Sequence, residues 1–287
     1  MKAIDLYGQL EADFVKPGIV EDWFDHMSDM PDMTAYICDN YKRRSMGLLC
    51  DFAEEIGRVY TAVFPSDAVL SRILEDNVSD AMLFVHHPLV WDLNRDPNQA
   101  FYPINAALLE QLKARRISVF NFHYPLDNYS KYATSKTLAE ALDIQIEGTF
   151  AEMSGAVCGV IGRTDWEDVY ALDKKYARVV GHKTKLYPYG DAAIRNGRVG
   201  VCAGGGNDAD TVEDLMEKGV NVLISGLSVK NDYSREAHRL EKEHRINLLG
   251  GTHYSSEKFA CIAICAYFRD LGLEAEFIPD VPCFADL

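Results

Sequence analysis

The sequence predicts an α/β protein of two similar lobes, each built on a mainly parallel sheet. Three observations carry this expectation. Short apolar runs rich in β-branched and aromatic residues alternate with helix-period segments. The strand, helix, strand repeats have the length of right-handed parallel crossovers. Several apolar strands end in polar, histidine-containing loops, where open α/β sheets place their chemistry.

In chain order, residues 58–64 (RVYTAVF) read as a strand stopped by Pro65. Ser66 can then cap a helix whose apolar side chains Val69, Leu70, Ile73 and Leu74 share one face. Residues 82–85 (MLFV) form the next strand, too apolar for a sheet edge. Pro103 suits the first position of a helix with Ile104, Leu108, Leu109 and Leu112 on one face, and Lys113, Arg115 and Arg116 at its cation-favouring end. Residues 117–122 (ISVFNF) are a third strand. Beyond them the pattern gives a helix at 134–142, a strand at 156–161, a helix at 165–179 and a hairpin around Asn196-Gly197. Strands at 199–203, 220–225 and 246–249 then alternate with helices at 210–218, 232–243 and 255–271. No Pro/Gly/Ser linker separates two blocks. The expected division is a first lobe at 1–130, rejoined by 251–287, and a second at 131–250.

With 48% hydrophobic and 25% charged residues, the 287-residue chain has an ordinary globular composition, which excludes a disordered or collagen-like polymer. No run approaches the ~18–20 apolar residues of a membrane span. The N-terminus, MKAIDLYGQLEADF, carries acidic residues from position 5 and no apolar secretory core, so a cytoplasmic location is expected. Acidic residues outnumber basic ones 44 to 29, for a net charge of −15. Such a field repels the phosphate backbone, so nucleic acid is not an expected partner, although a local basic pocket can still accept a small phosphate ester. The seven cysteines contain no CxxC pair, which fits a reducing compartment and argues against a structural zinc knuckle.

His86, His87, His123 and His253 each follow an apolar strand. Adjacent residues on a strand face opposite sides, so His86 and His87 reach one site only if the strand ends there; Pro88 supports that ending. Asp127, four residues after His123, can ligate a metal or cap a turn. His253 and Glu257 share one face if both are helical, about 5–6 Å apart at Cβ, which suits chelation. If Ser255 is instead the N-cap, Glu257 falls in the first turn and serves the helix dipole. Three histidines and two carboxylates supply donors suited to zinc, iron or manganese, without the thiolates of structural zinc. Five ligands exceed one open catalytic zinc and suit two divalent ions roughly 3.5–4 Å apart, in the cleft between the lobes.

These residues resemble those of the NIF-three-like dinuclear-metal proteins, also called YbgI-like and widely labelled type 2 GTP cyclohydrolase I. The similarity runs from Met46-Gly47-Leu48, through the 83–89 run LFVHHPL, to the 251–257 run GTHYSSE. The His-His-Pro, His-x-x-x-Asp and His-Tyr-x-x-Glu elements occur in the family's order. The resemblance implies that His86, His87, Asp127, His253 and Glu257 ligate two metals with His123 close by, in a two-lobed subunit that commonly forms a toroidal hexamer. The family usually has Thr-Asn where this chain has Tyr124-Pro125, and an acidic residue where it has Leu227. The length leaves no room for the large inserted domain of some members.

The expected activity is a two-metal hydrolase of a small, nucleotide-like substrate, with His123 as general acid or base. The competing expectation is a non-enzymatic metal-binding assembly or regulatory protein. A homo-oligomer, a homohexamer by family resemblance, is expected, with no membrane partner. Gly204-Gly205-Gly206-Asn207-Asp208 follows a strand and precedes a helix, so its amides can cradle an anion, but it lacks the Lys-Ser/Thr of a P-loop and reads rather as a packing turn. His26, His182, His238 and His244 lie among charged residues and are expected to be solvated, and Trp23, Trp91 and Trp166 to be core or interface residues.

Overall fold

A computed structural model describes residues 1–287. The helices are α1 (Ala3–Phe14), α2 (Trp23–Met27), α3 (Pro31–Thr34), α4 (Asp39–Arg44), α5 (Asp67–Glu75), α6 (Ala106–Ala114), α7 (Tyr124–Asp127), α8 (Thr134–Ala141), α9 (Val169–Val180), α10 (Ala209–Glu217), α11 (Arg235–His244) and α12 (His253–Asp270). The strands are β1 (Gly47–Cys50), β2 (Arg58–Ala62), β3 (Ala81–Val85), β4 (Val90–Trp91), β5 (Phe101–Tyr102), β6 (Ile117–Asn121), β7 (Gln145–Met153), β8 (Ala156–Arg163), β9 (Lys185–Tyr187), β10 (Arg198–Cys202), β11 (Val222–Ser225), β12 (Asn247–Gly250) and β13 (Glu274–Phe277). The chain divides into two compact units. The first comprises Met1–Asp92, Phe101–Leu126 and Cys261–Asp280, and the second Leu93–Ala100, Asp127–Ala260 and Val281–Leu287.

The first unit holds a five-stranded sheet in the order β1-β6-β3-β2-β13. Strands β6, β3, β2 and β13 run parallel and β1 antiparallel, as the two crossovers through α5 and α6 predict. The central strands β3 and β6 are buried at every residue, which explains the unbroken apolar run of β3; in β6 the buried Ser118 and Asn121 are hydrogen-bonded. Ser66 caps α5 by accepting from the Val69 amide at 3.2 Å. Tyr41, Tyr60, Val69, Leu70, Leu83, Leu109 and Val119 form one core, each side chain contributing roughly 1.5–3 kcal/mol by leaving water. Helix α6 starts at Ala106, three residues after the expected Pro103. The side chain of Asn105 accepts from the Ala107 amide at 3.0 Å and so sets the start, while Phe101 and Tyr102 pair with β4.

The second unit holds a six-stranded sheet in the order β7-β8-β10-β11-β12-β9. Here the expectation of a mainly parallel sheet fails. Only β10, β11 and β12 run parallel; the pairings of β7 with β8, β8 with β10 and β12 with β9 are antiparallel. Ser154 and Gly155, both with positive φ, join β7 to β8 in a two-residue hairpin, a link too short for any parallel crossover. The hairpin expected at Asn196-Gly197 is absent. Those residues do take positive φ, but in a 3₁₀ turn, because both edges of β10 are occupied by β8 and β11. Leu138, Val160, Leu172, Tyr176, Val201, Ile224 and Leu249 are among the core of this unit.

Candidate metal centre

In the first unit, Val85 lies beside Asn121 in the parallel register, so the residues after β3 and β6 leave neighbouring strands at the same edge. Strand β3 ends at Val85 and the chain bends through 86–89, as the two adjacent histidines require. The amides of His86 and His87 bond to the carbonyls of Ala62 and Val63 at 3.1 and 2.9 Å, which fixes both backbones. Both side chains are buried, with ring centroids 4.4 Å apart. One donor atom from each of His86, His87 and His123 lies within 4.8 Å of the others, a spacing that can hold a metal ion.

The surroundings orient these rings. Nδ1 of His86 lies 3.0 Å from the carbonyl oxygen of Phe122. A carbonyl only accepts, so this nitrogen donates and Nε2 keeps its lone pair, the tautomer a metal ligand needs. Nδ1 of His123 faces the Glu21 carboxylate at 3.2 Å, and the same carboxylate accepts from the Tyr124 amide at 2.6 Å. Asn121 donates to the His86 carbonyl at 2.6 Å and accepts from the Tyr41 hydroxyl at 2.7 Å. Phe64 stacks on His87 at 4.7 Å, and Trp23 stands edge-on to His87 and His123.

The second unit holds its own candidate ligands, the buried Asp127, His253 and Glu257. Helix α12 begins at His253, so His253 and Glu257 do share one face; their Nε2 and Oε1 atoms lie 3.2 Å apart. Ser255 is not the cap. Its amide bonds instead to the Thr252 hydroxyl at 3.2 Å. The His253 amide bonds to the buried Asp286 carboxylate at 2.8 Å, and Thr134 donates to Asp127. Burial first, then the charges of Asp208, Asp127 and Glu257, push the Cys202 thiol well above its ordinary range, so it stays protonated.

Gly204 crosses so close to Glu257 that a Cβ there would lie 2.0 Å from Oε1 and 3.0 Å from His253 Nε2, and its φ of +62° also favours glycine. The 204–208 loop is thus a close-packed turn. Its helix N-terminus is closed by the chain's own Asp208, which accepts from the Thr211 amide at 2.9 Å. Leu227 is buried and donates its amide to the Gly204 carbonyl, and the Tyr124 ring lies 4.5 Å from His123.

Two expectations about histidines are corrected. His238 is buried, with Nδ1 3.1 Å from the Tyr189 hydroxyl and 3.2 Å from Glu241, and Nε2 3.1 Å from the Ser228 carbonyl. His182 is half-buried and bonds to Ser255 at 2.7 Å. His26 and His244 are exposed, as expected. Trp23 and Trp166 pack on their unit cores. Glu21 escaped the sequence reading, because it lies 102 residues from His123 in an acidic stretch that reads as solvated surface. A buried carboxylate beside an imidazole has no local signature.

Residues 27–281 match the profile of the family described as Duf34/NIF3 (NGG1p interacting factor 3). The chain belongs to this family. A protein of Archaeoglobus fulgidus named GTP cyclohydrolase 1 type 2 homolog is 27% identical over 238 residues, spanning 82% of this chain and 89% of the relative. A Yersinia pestis protein of the same name is 26% identical over 243 residues, with 82% and 89% covered. The solved structure of protein ybgI has a TM-score of 0.75 at 18% identity, covering 99% of this chain and 100% of that one. Reduced HcgD from Methanocaldococcus jannaschii has a TM-score of 0.67 at 19% identity, covering 98% of each chain. At these identities the structures establish the shared fold. No helix is long and apolar enough to cross a membrane.

Proposed function

We propose that this chain is a dinuclear metal-dependent hydrolase of a small, nucleotide-like substrate. His86, His87, Asp127, His253 and Glu257 would hold two divalent ions, zinc, iron or manganese, and His123 would move the proton. The observation that carries this reading is the cluster of buried His86 and His87 with half-buried His123, whose donor atoms lie within 4.8 Å of one another. Clustered imidazoles with carbonyl and carboxylate partners behind them have the donor set and backing of a metal site. When bound, the ions would activate a water and stabilise charge on the attacked group.

The chain's own residues do the rest. The Phe122 carbonyl leaves His86 Nε2 as its donor atom, and Glu21 holds the His123 ring by Nδ1. His123 Nε2 is then the atom that exchanges a proton with substrate or water. Phe64 and Trp23 wall the rings on their apolar sides. Tyr124, which departs from the family pattern and lies against the His123 ring, would alter what that ring meets. The relatives named GTP cyclohydrolase 1 type 2 homolog suggest ring-opening hydrolysis of a purine nucleotide. A cytoplasmic homohexamer is part of the same proposal, supported by the family resemblance. Elemental analysis of protein expressed with ample metal should find close to two divalent ions per chain, and chelation should abolish GTP turnover. Protein carrying none would refute the reading; two ions without turnover would favour the metal-binding assembly role.

A further inference from the structure

The second unit contains a cavity of about 230 Å³ whose charge is opposite to that of the chain as a whole. Arg235, Arg239 and Lys242 line it from one face of α11, at spacings of four and three residues, and Lys230 lines it from the preceding loop. Four cations therefore meet at one small cavity, and no carboxylate lines it. In a protein of net charge −15, chance alone would favour acidic neighbours.

The cavity is also held in shape. Lys230 lies over the Tyr187 and Tyr189 rings at 5.0 and 5.5 Å, and those rings stack on each other at 5.7 Å. The Tyr189 hydroxyl meets buried His238, whose other nitrogen bonds to the Ser228 carbonyl. Arg239 is braced by Glu236 and Glu243, and Arg235 by Asp232, so both guanidiniums are steadied by carboxylates outside the cavity lining. Lys242 and Lys230 have no such ion pair. Lys230 does feel the Tyr189 hydroxyl and the buried Glu241 carboxylate, which leaves Lys242 as the ammonium with the least local compensation. Together with Lys230 and the two forked guanidiniums it matches the oxygens of a phosphate chain. The volume falls just below the ~300–1,000 Å³ of sites for drug-sized ligands, so the occupant is small.

We infer that this cavity is an anion site for a di- or triphosphate group, distinct from the metal ligands and independent of the hydrolase reading. The test is calorimetric titration of the full-length protein with inorganic pyrophosphate. One saturable site per chain is expected, weakening with added salt. Lys242→Gln should weaken it at least about tenfold, the loss of one charge-assisted hydrogen bond. Lys175→Gln, the same charge change on α9, where the lysine pairs with Asp143, should leave it unchanged, and so should His253→Ala. Titration without saturation overturns the inference, as does equal weakening by Lys242→Gln and Lys175→Gln. Binding lost in His253→Ala but kept in Lys242→Gln would assign the anion to the metal ligands and overturn it too.

Discussion

The two units build their candidate metal ligands by different physical means. In the first, parallel strands simply stop, and His86, His87 and His123 are set by backbone carbonyls and one buried carboxylate. In the second, His253 and Glu257 open a helix packed under a glycine loop with no room for a side chain, and Asp127 and Glu257 load that region with negative charge. The first set is made of imidazoles and the second adds carboxylates, so the two sets offer different donor chemistry to the proposed ions. Orientation is the vulnerable quantity in one, close packing and charge in the other.

Removing a donor from either set should have the largest effect. His86→Ala and Asp127→Ala should each abolish turnover together with metal binding, checked by elemental analysis beside the assay. If His86→Ala keeps both ions, the imidazole set is not the metal anchor. His123→Ala should retain both ions and lose about 10²- to 10⁴-fold in rate. Loss of an ion in that variant would make His123 a third imidazole ligand instead.

Glu21→Gln tests orientation without touching a donor. It keeps the size of the side chain and weakens its hold on His123, so metal affinity or activity should fall about 10- to 100-fold. Wild-type kinetics would remove Glu21 from the site. In the second unit, Gly204→Ala should cost about 1–3 kcal/mol through its left-handed backbone and the approach to Glu257, seen as a lower Tm with weaker metal binding. A variant as stable as wild type would show that the loop gives way.

The smallest expected effect contrasts these carboxylates with Glu241, which is buried beside His238. Burial raises its carboxyl group above the ordinary range, with His238 opposing the shift. The folded chain then holds that proton more tightly than the unfolded chain. Stability contributed by the protonated group is present at low pH and is lost as pH rises from the ordinary carboxylate range through the raised folded value. Glu241→Gln should flatten that slope in Tm measured against pH, and an unchanged slope would locate the titration elsewhere.

What the sequence determined by itself is local in origin. Apolar runs such as MLFV and ISVFNF mark buried parallel strands, and Pro88 marks where one of them must end, so the positions of His86, His87 and His123 at a strand edge were legible. The four-residue spacing of His253 and Glu257 already contained their shared helix face. Strand β7 was not legible, because five of its nine residues are exposed or polar enough to read as loop, and the antiparallel half of the second sheet went unseen with it. Tertiary structure alone brought Glu21 to His123, Gly204 to Glu257, and Lys230 to the α11 cations. Those pairs lie far apart in the chain or depend on loop paths, and periodicity carries information only over the few residues that one helix turn or strand pleat relates.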